Sequence, residues 1–310
     1  MIEVTGLSKR YGDKTAVDNL TFAVRPGMVT GFLGPNGAGK STTLRMIVGL
    51  DRPTSGTATV CGRPYHQLST PLRTVGAMLD AKAFHTGRTA RNHLRGIAAS
   101  HHLPGKRVDE VLAMVGLTSA ARRRAGGFSL GMSQRLGIAA ALLGDPQILI
   151  LDEPVNGLDP EGIQWVREFM RSMADSGRTV LVSSHLMSEM QDTADHLIVI
   201  GRGRLAADSS MAEFLARSSH NGTVVRSPHA AHLVRLLRHE GATVDAAPGR
   251  SAPDALLVRG MDAKRIGELA GQNGLWLHEL APQRVSLQEA FMELTADAVE
   301  YRVTHSGEAA

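Results

Sequence analysis

Apolar positions along the chain follow two rhythms, one of period two and one close to the helical 3.6. Residues 2–7 alternate apolar and polar like an edge strand, and Leu20, Phe22 and Val24 alternate in a second strand that ends at the turn signal Arg25-Pro26-Gly27. Residues 28–33, MVTGFL, form a short apolar strand, and residues 42–50, TTLRMIVGL, continue as a buried helix. Residues 57–60 and the end of 71–80, VGAMLD, read as further strands. From residue 89 the period changes. Ala90, His93, Leu94, Ile97 and Ala98 share one helical face and Val108, Val111, Leu112 and Val115 another, with Pro104-Gly105 between them. Residues 129–143 predict a cap followed by a helix of small residues, and residues 160–174 a further helix. The unbroken apolar runs ILIL (148–151), VLVSS (180–184) and LIVI (197–200) fit strands of a parallel sheet covered on both faces. Gly201-Arg202-Gly203 begins like a dinucleotide fingerprint but lacks the third glycine, and residues 204–207 read as a strand returning from a hairpin turn.

The pattern shortens after residues 218–222, SSHNG, which read as a linker. Strands at 223–226, 242–246, 255–258 and 275–279 alternate with helices marked by Leu233, Leu236 and Leu237 and by Ile266, Leu269 and Ala270. That order, βαββαβ, is the split ferredoxin-like arrangement. Leu287, Ala290, Phe291, Leu294, Ala298 and Tyr301 then form a stripe at helical spacing. It reads as a packing helix rather than a membrane-surface one, because Glu289, Glu293, Asp297 and Glu300 on its other face would be repelled by anionic lipid. The expected organisation is an α/β domain over residues 1–217, with a helical subdomain at about 81–143, followed by a smaller α/β domain over 222–310.

Composition narrows the function classes. A chain of 310 residues with 43% apolar content supports one large packed domain and a small one. The formal net charge is only +4, from 34 Lys and Arg against 30 interspersed Asp and Glu, so nucleic acid is not expected as a partner. Arg122, Arg123 and Arg124 read as a solvated face. Cys61 is the single cysteine, which excludes an internal disulfide and fits a reducing cytoplasm. No run approaches the roughly 18 apolar residues of a spanning helix, so work at a membrane would go through a partner.

The chemistry concentrates in residues 34–42, GPNGAGKST, which fit the phosphate-binding pattern G-x-x-x-x-G-K-[ST] between a strand and a helix. Gly34, Gly37 and Gly39 let the backbone turn and approach an oxyanion. The exposed N–H groups of the loop and the start of the next helix would hold phosphates, with Lys40 reaching the β- and γ-phosphates and the Ser41 hydroxyl a Mg²⁺ ion. Asp152 and Glu153 end a buried strand, where α/β folds place ligand chemistry. Asp152 is expected to hold Mg²⁺ and Glu153 to orient the attacking water. His185 ends the neighbouring buried strand. It could meet the γ-phosphate or be an ordinary polar strand end.

Taken in order, these segments resemble the nucleotide-binding domain of ABC transporters over about residues 1–215. GPNGAGKST matches Walker A, FSLGMSQR (128–135) a variant signature sequence, ILILDEP (148–154) Walker B, and NGLD (156–159) the D-loop. His185 falls at the switch-histidine position and Tyr11 at the aromatic position that stacks on adenine. The resemblance implies a P-loop ABC ATPase fold with antiparallel β and α-helical subdomains. It implies ATP held by Tyr11, by Gly34, Pro35, Asn36, Gly37, Ala38, Gly39, Lys40, Ser41 and Thr42, and by Ser129, Gly131 and Asp159. Two copies would pack head to tail, each ATP between Lys40 of one and Ser129 and Gly131 of the other. Glu153 would be the catalytic base, His185 the γ-phosphate contact, and Ser41 and Asp152 the Mg²⁺ ligands. Asp80 stands where the family has its Q-loop glutamine and would be a third, shorter and charged metal ligand. Leu130 and Met132 stand where the signature most often has Gly and Gln.

The single cassette with a short α/β extension ending in SLQEAFMELT resembles bacterial drug and antibiotic exporters of the daunorubicin-resistance type. That implies a separate transmembrane permease as partner, a homodimer of this chain, and a cytoplasmic position on the inner face of the membrane. An importer ATPase, or a soluble ABC ATPase acting on ribosomes or DNA, is the alternative. The latter usually carries two cassettes, a long coiled coil or a zinc insertion, none of which is found here.

Overall fold

The computed structural model describes residues 1–216, 222–247, 255–283 and 286–295. In chain order the larger part consists of β1 (Ile2–Tyr11), β2 (Lys14–Val24), β3 (Met28–Leu33), α1 (Lys40–Ile47), β4 (Ser55–Val60), α2 (Pro71–Thr74), β5 (Val75–Met78), α3 (Ala90–Ser100), α4 (Gly105–Met114), α5 (Leu130–Leu142), β6 (Ile148–Asp152), α6 (Pro160–Asp175), β7 (Thr179–Ser184), α7 (Met187–Gln191), β8 (His196–Gly201) and β9 (Arg204–Ser210). Then follow α8 (Met211–Ala216), β10 (Gly222–Arg226), α9 (Ala230–His239), β11 (Thr243–Ala246), β12 (Ala255–Arg259), α10 (Ala263–Gln272), β13 (Glu279–Gln283) and α11 (Leu287–Thr295). Two units separate, one of Met1–Met211 with the described residues Leu294 and Thr295 and one of Ala212–Glu293, and the first division falls after the first residue of α8.

The first unit is built on a six-stranded sheet in the order β5-β6-β7-β3-β8-β9. Its first five strands run parallel and β9 closes the edge antiparallel to β8. The apolar runs read from the sequence are its centre. Residues 149–151, 180–182 and 197–200 are fully buried, as the absence of alternation requires of strands covered on both faces. A second, antiparallel sheet has the order β2-β1-β4. Alternate residues of its strands, Ile2, Val4, Leu20 and Phe22 among them, enter one core with Leu44 and Ile47 of α1 and Phe32 of β3. The Phe22 and Phe32 rings meet at 5.5 Å between the two sheets. Helices α3, α4 and α5 pack on one another and bury Leu94, Val108, Val111, Leu112 and Leu136.

The second unit has a four-stranded antiparallel sheet in the order β11-β12-β10-β13, which with α9 and α10 is the expected βαββαβ fold. One expectation is corrected. The last strand is Glu279–Gln283, not residues 275–279. Leu275 instead follows α10 and is buried in the core beside Ile266 and Leu269. Pro282 hid the strand, because proline cannot donate to a ladder. It is tolerated here since β13 is an edge strand that pairs only with β10. Of the C-terminal stripe, Leu287, Ala290 and Phe291 are buried on α11, and Ala298 and Tyr301 lie outside the described residues. The expected linker 218–222 is likewise outside them, apart from Gly222.

Candidate nucleotide site

The loop between β3 and α1 is shaped by its glycines. A Cβ on Gly34 would meet the Ile200 carbonyl oxygen at 2.5 Å, so β8 presses directly on the loop. Gly39 has φ +103°, in the region that favours glycine, and a Cβ there would sit 2.5 Å from the Ala16 carbonyl oxygen. Gly39 is the N-cap of α1, and no side chain caps that terminus, so the first N–H groups of the helix remain available to an anion. A cavity of about 430 Å³ opens over the loop, lined by Tyr11, Lys14, Ala16, residues 35–42 and Glu153.

Lys40 is the first residue of α1 and is 6% exposed. Its Nζ donates to the Gly34 and Pro35 carbonyls at 2.6 and 3.3 Å and lies 3.7 Å from Glu153 Oε1. Burial pulls the Lys40 ammonium below its ordinary pKa, and the charges of Glu153 and Asp152 oppose that shift.

Glu153 follows the end of β6 with φ +50°, an uncommon conformation for a residue with a side chain. Its N–H donates to both the carbonyl and the hydroxyl of Ser183, at 3.2 and 3.1 Å. The Ser183 hydroxyl donates in turn to Asp152 Oδ1. Parallel register sets Asp152 of β6 beside Ser183 of β7, so the Asp152 and Glu153 carboxylates lie at the C-terminal end of the parallel strands. His185 follows β7, and its Nδ1 is 2.8 Å from Glu153 Oε2. A carboxylate only accepts, so the imidazole Nδ1–H is the donor. Lys40, Glu153 and His185 thus form one connected set beside the loop. Glu153 and His185 follow the ends of β6 and β7, and Lys40 opens α1 at the far side of the loop that leaves their neighbour β3.

Other expected residues stand apart from this set. Ser129 is the N-cap of α5, where its hydroxyl accepts from the Met132 N–H at 3.2 Å. Gly131 and Leu130 touch the segment after Walker B: a Cβ on Gly131 would be 3.4 Å from Leu158, and one on Gly157 2.2 Å from Leu130. The Asp159 carboxylate caps α6, accepting from the Gly162 N–H at 2.9 Å. Asp80 is exposed, and its Oδ1 accepts from the Lys82 N–H at 2.8 Å. It borders a separate hollow of about 540 Å³ with Arg45, Tyr65, Phe84 and His93.

Four residues went unread in the sequence. Ser183 ties Asp152 to Glu153, and its signal is a hydroxyl that directly follows the apolar run Val180–Val182. Gln134 is buried on α5, with Nε2 3.5 Å from the Glu153 carbonyl. Lys14 and Ala16 of β2 wall the cavity, and no local pattern marks them.

The chain is similar to known proteins over both of its parts. Residues 17–156 match the ABC transporter family, and residues 221–288 match a domain family of unknown function. The bacitracin transport ATP-binding protein BcrA of Bacillus licheniformis is 44% identical over 66% of this chain and 68% of its own length. The daunorubicin resistance ATP-binding protein DrrA3 of Streptomyces coeruleorubidus is 34% identical over 96% of each chain. A solved ATP-binding subunit of an ABC transporter superposes with a TM-score of 0.64 at 27% identity, over 70% of this chain and 92% of that one. The cassette MJ0796, solved as a dimer in a post-hydrolysis state with ADP and Pi, shares the fold at 23% identity and a TM-score of 0.62, over 68% of this chain and 99% of that one. The signature, Walker and strand-end residues, the fold and these relatives lead to one conclusion: the chain belongs to the ATP-binding, ATP-hydrolysing subunits of ABC transporters.

Proposed function

We propose that this chain powers export of a drug, antibiotic or lipid-like compound through a separate transmembrane permease, working as a homodimer on the cytoplasmic face of the membrane. The observation that carries the catalytic part is the connected set Lys40–Glu153–His185 beside the loop 34–42. In this reading Glu153 accepts the proton of the attacking water, and His185, bonded to the same carboxylate, steers it and contacts the γ-phosphate. Lys40 exchanges its present carbonyl partners for β- and γ-phosphate oxygens. Tyr11 stacks on adenine. Ser129 and Gly131 of a second copy complete the site across the dimer, with Asp159 at the same junction. The D-loop and signature segments touch within one chain, through Gly131 with Leu158 and Gly157 with Leu130, which favours their moving together as that junction closes.

Mg²⁺ prefers hard oxygen donors and keeps several waters, so one hydroxyl and one carboxylate beside the phosphates suit it. Ser41 at the start of α1 and Asp152 at the end of β6 supply such donors, and Ser183 orients the Asp152 carboxylate. The ion's contribution when bound is to neutralise charge on the β- and γ-phosphates. Asp80 is the third candidate donor, by way of its Q-loop position.

The export reading draws on the bacitracin-transport and daunorubicin-resistance relatives, the second of which matches along nearly the whole chain. None of the described helices is long and apolar enough to cross a membrane, in keeping with a pore on another chain. Co-expression with a candidate transmembrane permease from the same organism tests this directly. The expected result is a complex that survives detergent extraction and hydrolyses ATP faster than the free subunit. Co-purification with ribosomes instead would overturn the reading.

A further inference from the structure

Tyr11 ends β1 at the rim of the cavity, with half of its surface exposed. Its hydroxyl donates to Asp51 Oδ2 at 3.3 Å. Asp51 lies just past the C-terminal end of α1 and is gripped by a residue of that helix. Arg45 Nε and Nη2 donate to its Oδ2 and Oδ1 at 2.7 and 3.1 Å, a two-pronged clamp. The clamp keeps an acceptor-only carboxylate facing the phenol at neutral pH. A second tie runs alongside: Lys9 Nζ lies 5.0 Å from the centre of the Tyr11 ring and donates to the Arg52 carbonyl at 2.6 Å.

These contacts join two layers. Tyr11 belongs to the antiparallel sheet, whereas the phosphate loop and α1 belong to the β3 side of the fold. An adenine nucleotide must engage both at once, its base on the ring and its phosphates at Lys40. An exposed tyrosine ring is otherwise free to change rotamer, and binding would have to immobilise it.

We propose that Asp51 is a positioning residue that anchors the Tyr11 ring to the phosphate-loop helix and so presets the base-stacking surface for ATP. The role rests on the reading of Tyr11 as the stacking partner of adenine. Asp51 touches neither base nor phosphate in this scheme. Its removal therefore weakens nucleotide affinity and spares the chemical step.

The test uses the full-length protein, with equilibrium binding of a fluorescent ATP analogue and steady-state ATPase kinetics. Asp51→Ala is expected to raise Kd and KM about three- to tenfold, the range of one ordinary solvent-exposed hydrogen bond, with kcat at saturating ATP within about twofold. Asp51→Asn, whose amide oxygen still accepts, recovers part of the affinity. In a Tyr11→Phe background, Asp51→Ala has no further effect, because the hydroxyl it served is gone. An equal loss in both backgrounds, or a Kd unmoved by Asp51→Ala, overturns the proposal. If Asp51→Ala does not fold, the same cycle with Asp51→Asn gives a smaller effect that must also vanish with Tyr11→Phe. Tyr11→Ala separates the two ideas. An unchanged Kd there sinks the stacking role itself, whereas a large rise beside an inert Asp51→Ala sinks only the anchoring role.

Discussion

The His185 imidazole is hydrogen-bonded to the Glu153 carboxylate, Nδ1 to Oε2 at 2.8 Å, across the ends of two neighbouring strands. The other oxygen of the same carboxylate faces Lys40 Nζ at 3.7 Å. One acidic group therefore links the strand-end histidine to the phosphate-loop lysine, and each partner bears on how it can serve as a base.

Glu153→Gln keeps the shape of the side chain and removes its basicity. Turnover is expected to fall by roughly 10² to 10⁴, the usual worth of a general base. ATP then stays bound, and light scattering with ATP and Mg²⁺ should report a dimer. A monomer under those conditions would count against the two-copy site.

Lys40→Ala removes the cation that the loop carbonyls and Glu153 now hold. We expect kcat/KM for ATP to drop by about 10²-fold or more, as for loss of a group that stabilises developing phosphate charge. Turnover retained near the wild-type rate would show that the loop does not serve ATP.

Gly34→Ala tests the cradle without touching any charged group. Its Cβ would collide with the Ile200 carbonyl oxygen, a backbone atom that cannot swing aside. A loss of about 1–3 kcal/mol is expected, read as a lowered thermal midpoint together with weaker ATP binding. An unchanged midpoint would mean that β8 and the loop can separate without cost.

Asp80→Gln restores the residue type usual at the Q-loop. The Asp80 carboxylate is exposed and, among the described residues, accepts from the nearby Lys82 N–H alone, so its replacement should be structurally mild. ATPase activity should be kept or raised. A collapse in activity would assign the acid a role of its own.

His93 yields a pH prediction. Burial, followed by the nearby Arg88 charge, pushes its imidazole below the ordinary value, and the ring packs edge-on to Phe84 at 6.1 Å. The folded state then binds a proton less readily than the unfolded chain. Its contribution to stability is complete above the unfolded pKa of about 6.5 and is lost as pH falls from there through the folded value. His93→Gln should therefore lose less thermal stability than the wild type between about pH 7 and pH 5. Parallel losses in the two proteins would place the acid sensitivity elsewhere.

Much of the architecture was legible because it is local. The run MVTGFL is β3 residue for residue, and Ser129 and Asp159 cap the helices that follow them. The last strand was misplaced because Pro282 contradicts a strand pattern, and only its edge position in the sheet makes it harmless. Ser183 was missed for the opposite reason. It looks like one more strand residue until parallel register sets it beside Asp152.

The sequence by itself determined the chemistry: a phosphate loop whose glycines, lysine and serine are contiguous, two carboxylates at a strand end, and a histidine at another. Short-range spacing is enough to specify these, since each motif is a single turn or strand end. Tertiary structure decided how they meet. β3, β6 and β7 are neighbours only through ladder pairing between segments more than 100 residues apart for β3, and that pairing brings Glu153 within reach of both Lys40 and His185. It likewise joined Tyr11 to Asp51 across two layers. Long-range hydrogen bonding and burial select that register, and no local pattern encodes it.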